Sequence, residues 1–214
     1  MASPGRDAVL REFGVSRETA AKLDVLVAEL ARWQRVKNLV SAATLAEVWT
    51  RHIADSLQLL HLAPPDARIW VDMGSGAGFP GLPIALSSPP GGLVHLIESN
   101  SRKCAFLRHI VRLTDASAMV HEGRLEDVCP NMAEECDVVT ARALAPLVDL
   151  IAFAEPLLKQ GATGLFPKGK DAPAELTEAA KSWNFAADLI PSRTDSQGRI
   201  IRIKDLERRP KTTQ

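Results

Sequence analysis

The run Ile69-Trp-Val-Asp-Met-Gly-Ser-Gly-Ala-Gly-Phe-Pro-Gly81, with Glu98 seventeen residues beyond it, restricts this chain to few folds. Ile69 to Met73 reads as a buried strand, Gly74, Gly76 and Gly78 as a tight turn, and Glu98 as the end of a second apolar run. Together they form the first βαβ half of an open α/β sheet, which binds an adenosine-containing ligand at its carboxyl edge. A Cβ at the three glycines is expected to keep backbone N–H groups away from that ligand. Glu98 offers the two oxygens that a ribose diol needs as acceptors.

The rest of the chain organises around that unit. Residues 1–62 read as a helical extension. Ser16 caps a face of Ala20, Leu23, Leu26, Val27, Leu30 and Trp33. Thr44-Leu-Ala-Glu47 is a capping box that opens a second amphipathic helix through Trp49, Ile53, Leu57 and Leu60. After Pro64-Pro65, residues 63–214 alternate between the two periodicities. Strands are expected at 68–73, 93–98, 117–121, 137–141, 162–167, 185–190 and 199–204, with helices at 80–88, 101–114, 124–129, 146–159 and 172–183. Such alternation implies a parallel sheet covered on both faces. The last two strands are joined too closely for a parallel crossover and are expected to form an antiparallel hairpin. The expected fold is α/β and Rossmann-like, with a seven-stranded, mostly parallel sheet ending in that hairpin. This is the architecture of the class I S-adenosylmethionine-dependent methyltransferases. The N-terminal helices are expected to join it in one folding unit, and the tail from Glu207 to fray.

Composition narrows the partners. With 214 residues and 46% hydrophobic side chains, the chain can bury one sizeable core. Its 26 Lys and Arg balance 26 Asp and Glu, so any polyanion must be met by a local patch. Residues 191–214 carry seven Lys or Arg against three acids. Lys159, Lys168 and Lys170 are expected on the same rim, where phosphates would be met. Cys104, Cys129 and Cys136 have no C-x-x-C spacing and read as buried apolar residues in a reducing compartment. No apolar leader core or membrane-length apolar run is present. The expectation is a soluble, cytoplasmic monomer with no membrane partner and no metal.

Two registers of the glycine loop compete. Gly76-Ala-Gly78-Phe-Pro-Gly81 satisfies the nicotinamide dinucleotide pattern, whereas Asp72-Met-Gly74-Ser-Gly76-Ala-Gly78 places an acid two residues before the first glycine. An acid there suits a zwitterionic amino-acid ligand better than a diphosphate, and so does the terminal hairpin. The residues therefore favour S-adenosyl-L-methionine, with Asp72, Gly74, Gly76, Gly78 and Glu98 at the cofactor. A nicotinamide oxidoreductase and a non-catalytic RNA- or nucleotide-binding module stay open as alternatives.

The run Cys136-Asp-Val-Val-Thr-Ala-Arg142-Ala-Leu, at the end of the fourth strand, bears on the atom methylated. It lacks the Asn/Asp-Pro-Pro-aromatic motif of exocyclic amino targets. Cys136 enters at the wrong end of the strand for attack at a pyrimidine C5. A Lys-Asp-Lys-Glu set for ribose transfer cannot be assembled. A target needing no general base is left, and guanine N7 fits, because its lone pair attacks without losing a proton. Arg142 stands where strands of this fold deliver catalytic side chains. Lys168, in Pro-Lys-Gly-Lys170, follows another predicted strand. His52 and Asp55, three apart, read as capping or packing groups rather than a metal half-site.

These residues resemble those of the bacterial small-subunit ribosomal RNA guanine-N7 methyltransferases, the glucose-inhibited division protein B family. The resemblance runs nearly end to end. It covers Asn38-Leu39, Arg51-His-Ile-Ala-Asp-Ser-Leu57, the glycine loop continued as Phe79-Pro-Gly-Leu-Pro83, and Arg102-Lys-Cys-Ala-Phe-Leu107. Gly123-Arg-Leu-Glu126, Ala141-Arg-Ala143 and Phe166-Pro-Lys-Gly169 complete it. It implies cofactor contacts at Gly74, Phe79, Leu125, Glu126 and Arg142. It also implies that Arg124, Arg142, Lys168 and Arg199 face the RNA and its target base. The implied substrate is a guanosine near the decoding site of 16S ribosomal RNA, free or in a small-subunit particle.

Overall fold

A computed structural model describes residues 5–37, 45–132 and 135–208. Helices α1 (Arg6–Glu12) and α2 (Arg17–Lys37) open the chain. Ser16 caps α2 as expected, its Oγ accepting the Thr19 N–H at 3.1 Å. Thr44, half of the anticipated capping box, and Asn38-Leu39 lie outside the described residues. The second amphipathic segment is not a continuous α-helix: after helical residues at 45, 46 and 48 it passes through a π-helical turn, Trp49–Ala54, that runs into α3 (Asp55–Leu60).

The sheet contains β1 (Ile69–Met73), β2 (Leu93–Glu98), β3 (Ala118–Glu122), β4 (Val138–Thr140), β5 (Thr163–Lys168), β6 (Trp183–Pro191) and β7 (Arg199–Arg208). Its order is β3-β2-β1-β4-β5-β7-β6, parallel as far as β5, with β7 antiparallel to both β5 and β6. Crossover helices are α4 (Gly81–Ser87), α5 (Ser101–Thr114), α6 (Leu125–Val128, continued by a 3₁₀ turn), α7 (Leu147–Lys159) and α8 (Ala172–Ala179). Helix α8 stops four residues short of its expected end, because 180–182 turn the chain into β6, which starts at Trp183. The terminal strands run longer than expected, so Glu207 and Arg208 are not frayed: they pair with Asn184 and Trp183. The remaining tail residues lie outside the described chain.

Alternation along the strands sorts the core into two layers. Trp70, Val94, Leu96, Val138 and Leu165 face one side, where they meet Leu23, Leu26, Leu30, Trp49 and Ile53 from the N-terminal segment. Val71, Met73, Val139 and Phe166 face the other, under α7 and α8. The N-terminal helices thus share one apolar cluster with α4 and α5. Trp33 packs edge-on against Phe106, with ring centroids 5.4 Å apart. Cys104, Cys129 and Cys136 are free and buried, as anticipated.

This topology also divides the basic residues. Helix α7 starts at the carboxyl edge of the sheet and ends at the opposite edge, so Lys159 is not on the rim of Lys168 and Lys170. Strand β7 starts beside Lys168, with which Arg199 is in register, and carries Lys204 and Arg208 away from it. Arg202 is bound to Asp188 across the hairpin. The local surplus of charge is therefore spread over both edges.

Candidate functional site

The strand order reverses between β1 and β4, and ligands of open sheets bind outside the carboxyl ends at such a point. A cavity of about 1190 Å³ opens there. It brings together Gly74, Gly76, Phe79, Glu98, Arg124, Leu125, Glu126 and Arg142, eight of the residues singled out in the sequence. Asp72 and Gly78 stand behind this wall.

The glycine loop works differently from expectation. Ser75 N–H donates to the Ile97 carbonyl at 2.9 Å, Gly76 N–H to Glu98 Oε2 at 2.9 Å and Gly78 N–H to the Ser75 carbonyl at 2.7 Å. These donors are spent inside the protein, so they form no nest for a diphosphate. Gly76 has φ +57, and a Cβ there would meet nothing nearer than 3.8 Å, so the open space above it belongs to the cavity. Gly78 serves packing instead: a Cβ would strike Leu82.

Two carboxylates brace this loop. Glu98 is buried, and its second oxygen, Oε1, accepts the Asn100 N–H at 2.8 Å. Asp72 is fully buried, and its Oδ2 accepts the Gly81 N–H at 3.1 Å. Its Oδ1 has no hydrogen-bond partner among the described residues. Burial pushes the Asp72 carboxyl up to about 7, against the pull of the Gly81 N–H, of the nearby Ser75 hydroxyl, which donates to the Asp72 main-chain carbonyl, and of the Arg142 charge.

Arg142, two residues past β4, is gripped on several sides. Nη2 lies 2.6 Å from His52 Nδ1, while Nη1 donates to the Arg51 carbonyl at 2.9 Å and to Asp55 Oδ2 at 3.3 Å. The guanidinium lies over the Phe79 ring at 5.5 Å, and the His52 ring stacks on the same ring at 4.8 Å. The sequence suggested only capping or packing roles for His52 and Asp55. Their spacing of three was visible, but not that a π-helical turn and the start of α3 present them to the end of a strand about 90 residues away. Asp55 Oδ1 also accepts from Gln58 and from Thr194 in the β6–β7 loop, which docks that loop on α3. The next residue, Ala143, has φ 53, a left-handed conformation that puts both Arg142 and Leu144 on the cavity wall.

A smaller cavity of about 370 Å³ adjoins the first. Arg142, Asp55, Ala143 and Asp195 line both, and Lys168, Glu175 and Arg199 line the smaller one. Lys168 Nζ donates to the Ala145 carbonyl and to Glu175 Oε2, both at 2.7 Å. Arg199 donates to the Ser196 and Gly198 carbonyls of its own turn. Lys170 is exposed and lines neither cavity.

The described chain is similar in fold to solved methyltransferases of low sequence identity. An O-methyltransferase from Bacillus cereus, solved with S-adenosylhomocysteine (SAH), matches with a TM-score of 0.59 at 15% identity, over 85% of this chain and 91% of the other. The O-methyltransferase TomG from Streptomyces achromogenes, solved with S-adenosylmethionine (SAM), matches at 0.56 with 14% identity, over 84% and 89%. These place the sheet in the class I S-adenosylmethionine-dependent methyltransferase fold. Sequence relatives are much nearer. Ribosomal RNA small subunit methyltransferase G of Methylorubrum extorquens is 59% identical over 97% of this chain and 99% of its own length. Its counterpart in Rhodopseudomonas palustris is 53% identical over 94% and 86%. Residues 19–198 match the family described as rRNA small subunit methyltransferase G. With the cavity at the switch point and most of both core layers inside that match, the chain belongs to the rRNA small subunit methyltransferase G family.

Proposed function

We propose that this protein transfers a methyl group from S-adenosyl-L-methionine to N7 of a guanosine in 16S ribosomal RNA, by in-line attack without a general base. Membership of the family supports methylation of small-subunit ribosomal RNA, and the fold supports the cofactor. The site fits that cofactor on three counts. The Ser75, Gly76 and Gly78 N–H groups are committed internally, which disfavours a diphosphate and with it the nicotinamide reading. Buried Asp72 keeps one oxygen unpartnered, a group suited to a nearby cationic ligand. The space over Gly76 is open. Gly74, Phe79, Glu98, Leu125, Glu126 and Arg142 would hold the cofactor, which when bound supplies a methyl group on a positively charged sulfur.

The observation that carries the choice of N7 is the commitment of the ionisable groups around Arg142. His52 accepts from it, Asp55 is ion-paired with it, and Lys168 is tied to Glu175. This cluster holds and orients; it presents no poised base. Guanine N7 has an in-plane lone pair and no proton to lose, so alignment and exclusion of water suffice. The smaller cavity, with Lys168 and Arg199 on its wall, lies beside Arg142 where an acceptor base would enter. Arg124 and Lys170, both exposed, are assigned to RNA phosphates, and their contribution weakens with salt.

The test incubates the protein with radiolabelled S-adenosylmethionine and, separately, 16S RNA, 30S subunits and 23S RNA, followed by nucleoside analysis. N7-methylguanosine from 16S RNA or 30S subunits alone is expected. A different methylated nucleoside overturns the choice of atom. Cofactor binding without label in any RNA points to a binding module.

A further inference from the structure

We infer that His52 is a positioning residue for methyl transfer: as a neutral imidazole protonated on Nε2, it orients the Arg142 guanidinium at the junction of the two cavities. The inference rests on the reading above, in which Arg142 meets both cofactor and acceptor base.

A guanidinium has donors and no acceptor, so a ring nitrogen 2.6 Å from Arg142 Nη2 must supply a lone pair. Only one nitrogen of a neutral imidazole can do so, which puts the proton on Nε2. An imidazolium would have none to offer. The surroundings favour the neutral form: burial above all, then the charges of Arg142 and Arg51, push His52 down to about 4. Asp55, one helical turn on, does not reverse this, because its Oδ1 is taken by Gln58 and Thr194 and its Oδ2 faces Arg142.

His52 Nε2 is buried and has no partner among the described residues. A histidine kept only for packing would gain by satisfying that nitrogen or by being apolar. What fixes the ring is its stacking on Phe79, with planes 22° apart, and the π-helical turn that carries it. Phe79 therefore supports both the imidazole and the guanidinium. The closest contact of Arg142 is to this uncharged acceptor; Asp55 stands 3.3 Å away. Such an arrangement sets the direction of the guanidinium while leaving much of its positive charge available to a ligand.

The test compares His52→Phe, which keeps the stacked ring and removes the acceptor, with His52→Asn, whose amide oxygen can take the place of Nδ1. Methyl transfer to 30S subunits gives kcat and KM, calorimetry gives S-adenosylmethionine affinity, and thermal melting checks folding. Loss of a hydrogen bond to a charged group predicts a fall of about tenfold or more in kcat/KM for His52→Phe. His52→Asn is expected to return to within about threefold of wild type by the same measure. In an Arg142→Ala background, His52→Phe should have no additional effect on cofactor affinity, since it acts through the guanidinium. A fully active His52→Phe, a folded Asn variant no better than the Phe variant, or additive losses of affinity with Arg142→Ala would each overturn the inference. If the Phe variant does not fold, a folded Asn variant with less than about a tenth of wild-type activity overturns it too. Wild-type protein that binds cofactor yet methylates no RNA refutes the underlying reading instead, and the affinities of the variants then still report on Arg142.

Discussion

Arg142 is held by acceptors from a different part of the chain, so its removal separates chemistry from folding. Arg142→Ala should abolish detectable methyl transfer while the melting temperature stays within a few degrees of wild type, because the residue lies on a cavity wall and not in the core. Unchanged turnover would remove it from the mechanism. Asp72 makes a pH-dependent prediction. Its carboxyl, ordinarily near 3.8, is raised to about 7 by burial, so the folded protein binds a proton that the unfolded chain releases. The stability this adds is full below pH 3.8 and is lost as pH rises through about 7. A cationic ligand near Asp72 favours the ionised form, so cofactor binding below pH 7 should expel a proton and tighten as pH rises. Calorimetry at pH 6 in buffers of different ionisation enthalpy measures that proton directly. Asp72→Asn should bind more weakly and release none; equal proton release from the variant would assign it to another group.

At the scale of elements, the helical segments before β1 pack under the site. Trp49 is 1% exposed at the start of the π-helical turn, within the same apolar cluster as α2 and α4. Trp49→Ala should therefore cost about 3–5 kcal/mol in chemical denaturation. It should also loosen the turn that carries His52 and leads into Asp55. A loss below about 1 kcal/mol would show that the turn does not depend on this packing. Most of these elements could be read in advance. The strands of the parallel half stand within a residue or so of their expected bounds, because alternation between sheet and helix periods is a local signal. The π-helical turn could not, since Trp-Thr-Arg-His-Ile-Ala has no composition that separates it from an α-helix. The added residues at both ends of the terminal hairpin were equally hidden. Cross-strand partners such as Trp183 and Arg208 extend these strands, and that is not a property of either segment alone.

For the whole molecule, one continuous apolar cluster runs from Leu23 to Phe106 and Ile200, and on that ground we propose that the N-terminal segment folds with the sheet as one cooperative unit. Removing residues 1–62 should expose that face of α4 and α5 and yield aggregated protein, whereas the full chain should unfold in a single transition seen alike by fluorescence and circular dichroism. A soluble, cofactor-binding fragment would show instead that the sheet domain is independent. Charge acts at this scale too. A balanced chain whose cations are divided between two edges has few left for phosphates at the site, and several of those are already paired. Affinity for naked RNA should fall with added salt more gently than for a strongly basic binder, which filter binding across a salt series would measure.

Within the chain itself, the spacing of acid, glycines and Glu98 determined the fold class, the edge of the sheet that binds and the kind of ligand. Each of these follows from short-range backbone geometry and from residue types a few positions apart. Arg142 was legible for the same reason, as it follows a predicted strand by two residues. Only the tertiary structure decided how these parts cooperate. It turned the loop N–H groups inward, gave Gly78 a packing task and carried Lys159 to the far edge. It also drew His52 and Asp55 from a helical segment onto the end of β4. Those outcomes depend on crossover direction, strand order and burial, which arise when segments distant in sequence are packed together and leave no mark in any one of them.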